Sequence, residues 1–339
     1  MKQKTLVTGG CGYIGSHTVV ELIENNFEVI IIDDLSNSNK ETISNIQKIT
    51  GVKPTFYACD LKDIHTVRNI LKENKDIAAT IHFAAYKAVG ESVAKPLLYY
   101  QNNLVSLINI LISQLEIGVT NFIFSSSATV YGNPKTLPIT EENETKRPFS
   151  PYGNTKKIAE EILEDLSKAN KECAIISLRY FNPIGAHKSG LIGELPNGIP
   201  NNLMPYITQV ASGKLDQLAV YGNDYDTPDG TGVRDYIHVH DLAEGHLKAL
   251  TKLMSNPGLV TYNLGTGKGY SVLEVIKTFE ETNGVNIPYK IAPRRKGDIG
   301  CYYADTQLAK NELKWEATKD LSDMVRDAWK WQSKNPSGY

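Results

Sequence analysis

The side chains with most chemistry within reach are hydroxyls and one lysine. Ser125-Ser126-Ser127-Ala128-Thr129-Val130-Tyr131-Gly132 follows an apolar run, and Ser150-Pro151-Tyr152-Gly153-Asn154-Thr155-Lys156 opens a segment with Ile158, Ile162 and Leu166 at helical spacing. Tyr152 and Lys156 stand four positions apart, so a helix puts them on one face. A tyrosine is a poor base at its ordinary pKa of about 10, but a neighbouring ammonium favours its phenolate. Moved towards neutrality, Tyr152 takes a proton from a sugar hydroxyl while hydride leaves the same carbon, and Ser127 shares the hydrogen bond. Tyr-x-x-x-Lys also arises by chance as an exposed helical pair, so its context has to decide.

That context begins at Thr8-Gly9-Gly10-Cys11-Gly12-Tyr13-Ile14-Gly15-Ser16-His17, between a β-branched run (Thr5-Leu6-Val7-Thr8) and an amphipathic segment. Strand, glycine turn and helix form the setting of a dinucleotide fingerprint, with phosphates at the helix N-terminus. The letters fit both Gly10-x-Gly12-x-x-Gly15 and Gly9-x-x-Gly12-x-x-Gly15. Asp33 closes the next strand where a carboxylate grips a ribose diol and repels a 2′-phosphate, which favours NAD over NADP. Asp60, in Cys59-Asp60-Leu61, either meets an adenine edge or caps the helix beginning near Asp63. Phe83-Ala84-Ala85-Tyr86-Lys87 ends the fourth strand, with small residues where a ligand lies against backbone and Lys87 placed for a diphosphate or for solvent. The helical segment 96–118 carries Tyr99-Tyr100-Gln101-Asn102-Asn103, a polar cluster that faces a cofactor or water.

Apolar strands at 28–32, 55–58, 80–83, 121–124 and 174–178 alternate with helical periodicity. This predicts an α/β, Rossmann-type doubly wound parallel sheet with helices on both faces. Gly-, Pro- and Asn-rich loops after Phe181 predict a smaller, mixed α/β lobe, and Val260-Thr261-Tyr262-Asn263-Leu264 reads as a strand returning to the first. The chain has 36 basic and 38 acidic residues, which leaves no field to draw nucleic acid or an anionic membrane. Cys11, Cys59, Cys173 and Cys301 lack metal-ligand spacing and read as reduced thiols of a cytoplasmic protein, with no metal site. The run behind Met1-Lys2-Gln3-Lys4 is a first strand rather than a signal peptide, and no apolar run is long enough for a bilayer.

Together these stretches resemble the extended short-chain dehydrogenase/reductase family, in its branch of NAD-dependent epimerases and dehydratases. The resemblance runs from Thr5 to Tyr339 and is most specific at 9–17, 122–132, 179–186, 199–205 and 230–239. It implies Tyr152 as base, Ser127 as hydrogen-bond partner at the sugar hydroxyl, and Lys156 holding the nicotinamide ribose and tuning Tyr152. It implies NAD contacts at Gly9, Gly12, Tyr13, Ile14, Gly15, Asp33, Asn37, Asp60, Leu61, Phe83, Ala84, Lys87, Asn102, Lys156 and Phe181. UDP-sugar contacts are implied at Asn182, Asn202, Leu203, Ala219, Tyr221, Arg234, Arg295, Asp298 and Tyr302, besides Ser127 and Tyr152.

The implied reaction is reversible C4 epimerisation of UDP-galactose and UDP-glucose through a 4-keto sugar, with tightly held NAD regenerated each turn. The implied domains are 1–180 for NAD, with returns near 235–265, and 181–339 for the UDP-sugar. The resemblance also implies a homodimer through helices near 95–117 and 150–170, whose apolar stripes allow it. Two arginines suit a diphosphate, although Arg234 and Arg295 could instead pair with Asp235 and Asp298. A 4,6-dehydratase lacks support, because Ala128-Thr129 follows Ser127 where an acidic pair is needed. A silent NAD-binding module has no use for an intact Ser127, Tyr152 and Lys156. Tyr302, or with a one-residue slip Cys301, falls where the family decides whether N-acetylated hexoses fit; Tyr302 predicts their exclusion.

Overall fold

The computed structural model describes residues 2–196, 198, 200, 202–253, 257–295 and 297–339. Its first half alternates strand and helix: β1 (Lys4–Thr8), α1 (Tyr13–Glu24), β2 (Glu28–Asp33), α2 (Glu41–Thr50), β3 (Thr55–Ala58), α3 (Ile64–Glu73), β4 (Ile77–His82), α4 (Val89–Ala94), α5 (Pro96–Glu116), β5 (Asn121–Ser127), α6 (Pro151–Ala169) and β6 (Ala174–Tyr180). The remainder runs β7 (Asn182–Ile184), α7 (Leu203–Ala211), β8 (Leu218–Tyr221), β9 (Val233–His238), α8 (Val239–Leu253), β10 (Gly258–Leu264), β11 (Gly269–Ser271), α9 (Val272–Asn283), β12 (Tyr289–Ala292), β13 (Cys301–Tyr302), α10 (Gln307–Leu313) and α11 (Leu321–Lys334).

Seven strands form the expected parallel sheet in the order β10-β6-β5-β4-β1-β2-β3. The order reverses at β1, so the open crevice of a doubly wound sheet lies past the C-terminal ends of β1 and β4. Strand residues such as Leu6, Ile30, Ile32, Phe122 and Phe124 are buried with Leu107, Ile110 and Leu163 from the covering helices. That explains the near-continuous apolar strands.

The chain divides into two compact units. The first comprises Met1–Gly132, Glu144–Arg179 and Ala243–Tyr262; the second comprises Asn133–Asn143, Tyr180–Leu242 and Asn263–Tyr339. The stretch 133–143, placed in the first lobe by the sequence reading, groups with the second because backbone pairing fixes it there. The Ile139 amide donates to the Tyr303 carbonyl at 3.0 Å, and the Asp305 amide donates to the Ile139 carbonyl at 2.7 Å. In the second unit β9 pairs with β11, β13 and β7, while β8 pairs with β12. Its core gathers Ile207, Phe279, Met324 and Val325 from α7, α9 and α11. A reciprocal Asp320–Asp323 cap starts α11, which is core, as its apolar spacing predicts. Among the described residues no helix is long and apolar enough to cross a membrane. All four cysteines are unpaired.

One buried histidine has a consequence for stability. His82 ends β4, and its Nδ1 lies 2.8 Å from Thr8 Oγ1 at the end of β1. Burial, helped by the Lys156 charge, pushes its imidazole from 6.5 down to about 3. Between those values the unfolded chain binds a proton that the folded chain refuses, so stability is lost as pH falls through that window. Thermal unfolding from about pH 7 to about pH 4 should show a shallower decline in His82→Gln than in wild type, by up to about 1.4 kcal/mol per pH unit. Parallel declines would show that His82 is not the group responsible.

Candidate functional site

The glycine turn is built by backbone contact. Gly9 has φ +70°, and a Cβ on it would stand 2.8 Å from the Ala84 amide nitrogen past β4. A Cβ on Gly15 would lie 2.2 Å from the Gly9 carbonyl oxygen, while one on Gly12 would meet only that oxygen, at 3.2 Å. Gly9, by its φ and its contact with Ala84, and Gly15, by its contact with Gly9, thus have a backbone requirement for glycine. Gly10, whose nearest neighbour is the Ile31 side chain, packs against β2. Helix α1 starts at Gly12 without a side-chain cap and without an acidic residue in its first turn. Such a helix end offers its N–H groups to an anion.

Asp33 locks this turn to β2. Its Oδ2 accepts the Cys11 amide at 3.0 Å; its Oδ1 accepts the Leu35 amide at 2.9 Å and Ser38 Oγ at 2.8 Å. Burial pushes the Asp33 carboxyl up while these donors pull it down, and burial prevails. Asp60 does not cap α3. Asp63 does, accepting from the His65 and Thr66 amides, whereas Asp60 accepts the Lys62 amide at 2.9 Å and stays largely exposed. Leu61 is buried beside it, with its carbonyl accepting from Asn109 Nδ2 at 2.9 Å. The Phe83 amide donates to the Thr8 carbonyl at 3.0 Å, which sets Ala84 over Gly9. The Lys87 ammonium lies 5.7 Å from the centre of the Tyr13 ring. Asn37 is exposed in the loop after β2.

The hydroxyl-rich strand end and α6 meet residue by residue. The Ser150 hydroxyl caps α6 by accepting the Gly153 amide at 3.1 Å, and Pro151 occupies its first turn. Lys156, 4% exposed, donates to the Ser125 carbonyl at 2.6 Å and lies 4.9 Å from the Phe124 ring centre. Ser127 Oγ accepts from Thr129 Oγ1 at 3.0 Å and is hydrogen-bonded to Tyr152. Burial pushes the Tyr152 phenol up to about 12, and only the Ser127 bond opposes it. Burial likewise pushes Lys156 down to about 7, against the Glu160 charge. The downward shift of Tyr152 expected from Lys156 is therefore not a property of these side chains by themselves, because the Lys156 ammonium is directed at Ser125.

The polar cluster of α5 is structural glue around this seam. Asn103 accepts the Tyr86 amide at 2.8 Å and donates to the Tyr86 carbonyl at 3.1 Å and to Thr155 Oγ1 at 3.0 Å. Asn102 is buried and donates to Asn103 Oδ1 at 3.1 Å. Tyr100 Oη accepts from Asn154 Nδ2 at 2.8 Å. The sequence reading named Asn103 only as part of a polar cluster facing a cofactor or water, not as a link to Tyr86 and Thr155, and it missed the pair Glu160–Arg179. A polar residue at helix spacing and an arginine inside an apolar strand were the available signals.

In the second unit, Arg234 and Tyr302 are register partners across β9 and β13. Asp235 is fully buried and accepts the Thr266, Gly267 and Ala304 amides and the Thr266 hydroxyl, so Arg234 is not its partner. Arg234 instead donates to its neighbour's carbonyl, Val233 O, at 2.8 Å. Arg295 does pair with Asp298, at 2.9 Å, while its guanidinium lies 4.8 Å from the Tyr221 ring centre. Both arginines lower the phenol of Tyr236, which burial nevertheless pushes up to about 12. They therefore converge on one neighbourhood. The rings of Phe181 and Tyr302, both buried, are 5.6 Å apart. Asn182 is exposed at the start of β7, and Ala219 sits in β8. Asn202 precedes Leu203 at the head of α7 and donates to Glu194 at 3.1 Å. Ile199 and Asn201 of the same stretch lie outside the described residues.

The family model described as GDP-mannose 4,6 dehydratase matches residues 6–328. The UDP-glucose 4-epimerase of Pasteurella multocida is 55% identical over 334 residues, 98% of each chain. A crystal structure of UDP-glucose-4-epimerase from Stenotrophomonas maltophila, with bound NAD and formylated UDP-arabinopyranose, superposes with a TM-score of 0.96 at 50% identity, covering 98% of both chains. The enzyme from Bifidobacterium longum, in complex with NAD+ and UDP, also gives 0.96 at 50% identity, covering 99% of this chain and all of that one.

Of the glycines in the turn, Gly15 has least room for a side chain, and its blocker is backbone. Gly15→Ala should destabilise the protein by about 1–3 kcal/mol in urea unfolding. It should also weaken dinucleotide binding in calorimetry more than Gly90→Ala, where a Cβ meets open space. Equal behaviour of the two variants would refute this reading of the turn.

Proposed function

The chain belongs to the UDP-glucose 4-epimerase family, and from that membership we propose that Tyr152, Ser127 and Lys156 carry its chemistry. The enzyme is an isomerase that uses NAD to invert C4 of a UDP-hexose, interconverting UDP-glucose and UDP-galactose. The reading of the residues rests above all on the seam of β5 and α6, where Tyr152 is hydrogen-bonded to Ser127 and Lys156 is fixed on Ser125 O.

The residues present fit NAD. The turn of Gly9, Gly12 and Gly15 leads into the uncapped N-terminus of α1, a cradle for a diphosphate without neutralising carboxylates. Asp33, with three of its roughly four acceptor positions already taken, keeps one on Oδ2 for a ribose hydroxyl, and its charge repels a 2′-phosphate. Tyr13, Ile14, Asn37, Asp60, Leu61, Phe83, Ala84, Lys87, Asn102 and Phe181 complete the proposed cofactor contacts. When bound, NAD supplies a hydride acceptor and donor beside the sugar carbon and a positive ring charge.

The chain's own part is proton handling and orientation. As the phenolate, which the positive ring charge of bound NAD would favour, Tyr152 Oη would receive the proton of the 4-hydroxyl and return it on the opposite face of the sugar, while Ser127 Oγ shares the 4-oxygen. Lys156 uses one N–H on Ser125 and keeps two for a ribose hydroxyl. Arg234 and Arg295 neutralise the substrate diphosphate, with Asn182, Asn202, Leu203, Ala219, Tyr221 and Asp298 placing the UDP. Held at the diphosphate alone, the hexose is left to present either face. Tyr302 excludes a 2-acetamido group. The proposed domains are an NAD-binding lobe and a smaller UDP-sugar lobe. Exposed Leu97, Ile108 and Ile112 on α5 support a homodimer through α5 and α6, and four unpaired cysteines support a cytoplasmic location.

Purified protein given UDP-galactose and no added cofactor should yield UDP-glucose. Conversion only after NAD is supplied would remove the claim of a retained cofactor. Tyr152→Phe should keep fold and bound NAD while kcat falls by about two to four orders of magnitude; unimpaired turnover would remove Tyr152 from its role. UDP-N-acetylglucosamine should be a far poorer substrate than UDP-glucose, and comparable rates would shift the selecting role from Tyr302 to Cys301.

A further inference from the structure

Three consecutive serines of β5 are matched to three residues of α6 spaced one turn apart. Ser127 meets Tyr152, the Ser125 carbonyl takes the Lys156 ammonium at 2.6 Å, and Ser126 Oγ donates to Glu160 Oε1 at 2.5 Å. Glu160 is the member of this set with no part in the proposed chemistry. It is also the most firmly held. Arg179, from β6, grips it with both arms, Nε to Oε1 at 2.9 Å and Nη2 to Oε2 at 2.7 Å. Both side chains are nearly inaccessible, 9% and 12% exposed. Arg179 in turn lies 4.8 Å from the Tyr131 ring centre, so it cannot swing away without leaving a cavity.

We propose that Glu160, clamped by Arg179 and Ser126, is the positioning residue that keeps Lys156 protonated and registers the serine strand end against α6. A buried carboxylate held bidentately by a guanidinium is an expensive way to join a helix to a strand. Its placement one turn beyond a buried amine gives it a second use. The titratable or charged groups around Lys156 are His82 from β4, Tyr152 and Glu160 from α6, and Arg179 beyond Glu160 from β6. In the chain by itself His82 is neutral and Tyr152 is a phenol, so among these groups Glu160 opposes the burial that drives Lys156 to shed its proton. Removing the Glu160 charge lowers the Lys156 titration and moves the alkaline limb of the rate profile to lower pH.

The inference rests on the proposed roles of Tyr152 and Lys156. The test is a 13Cε-lysine NMR titration, with the Lys156 signal identified by its loss in Lys156→Arg, run beside pH profiles of kcat and KM for UDP-galactose. In Glu160→Gln the Lys156 midpoint should fall by about one pH unit. At about pH 8 kcat should drop about tenfold with KM little changed. Glu160→Asp, which keeps the charge, should lie between Gln and wild type.

The double variant Glu160→Gln/Arg179→Met leaves no stranded guanidinium, so it keeps the test decisive should the single variant fail to fold. It should keep the lowered midpoint. A wild-type midpoint in Glu160→Gln, or its restoration in the double variant, would overturn the proposal and leave Glu160 as the mere partner of Arg179. Tyr152→Phe separates the two levels. Turnover in that variant rejects the proposed chemistry itself, whereas its loss alongside an unshifted Lys156 midpoint rejects only the role of Glu160.

Discussion

Keeping an amine buried under a strand end is the constraint on which the first unit depends. Burial removes hydration that no single bond replaces, and it pulls the Lys156 titration from 10.5 to about 7. The chain answers with a carbonyl at Ser125, a π face at Phe124 and a carboxylate at Glu160. Each answer fixes a further element. The carbonyl sets the register of β5 against α6, and the carboxylate recruits β6 through Arg179. Asn103 and Thr155 then bind α5 and the loop after β4 to the same helix face. The hydroxyls proposed to be catalytic are therefore positioned by the groups that make their neighbouring charge tolerable.

The cofactor end of the unit works on a different principle. There the selectivity comes from atoms that are missing. Gly9 and Gly15 allow backbone within a distance that any Cβ would forbid, and this brings β1, α1 and the loop after β4 together. Asp33 locks the arrangement through an amide of the turn itself. Both ends lie past the C-terminal edges of β1, β4 and β5, adjacent strands in the sheet, so the fold supplies their proximity.

The second unit shows how a buried acid and a half-buried base can be neighbours in sequence without being partners. Asp235 points into the fold, where three amides and a hydroxyl satisfy it. Strand alternation sends Arg234, the residue before it, to the other face. That leaves Arg234 with Tyr302 on β13 and in the neighbourhood of Arg295.

The sequence by itself determined the class of fold, the glycine turn, the acidic end of β2 and the Ser127, Tyr152 and Lys156 set. These features are local: a strand–turn–helix, a strand end and one helical turn need only short-range spacing, and periodicity reports it directly. It could not say what makes each glycine of the turn necessary, because that depends on which α-carbon faces Ala84, Ile31 or the Gly9 carbonyl. It could not place 133–143, whose backbone pairs with residues more than a hundred positions away. Nor could it give the direction of the Tyr152 shift. Spacing reports that an ammonium and a phenol share a helix face, but the low-dielectric surroundings and the carbonyl that claims the ammonium are assembled from β4, β5 and β6. Only the tertiary structure decided those, since burial and charge are properties of everything packed around a group rather than of its neighbours in the chain.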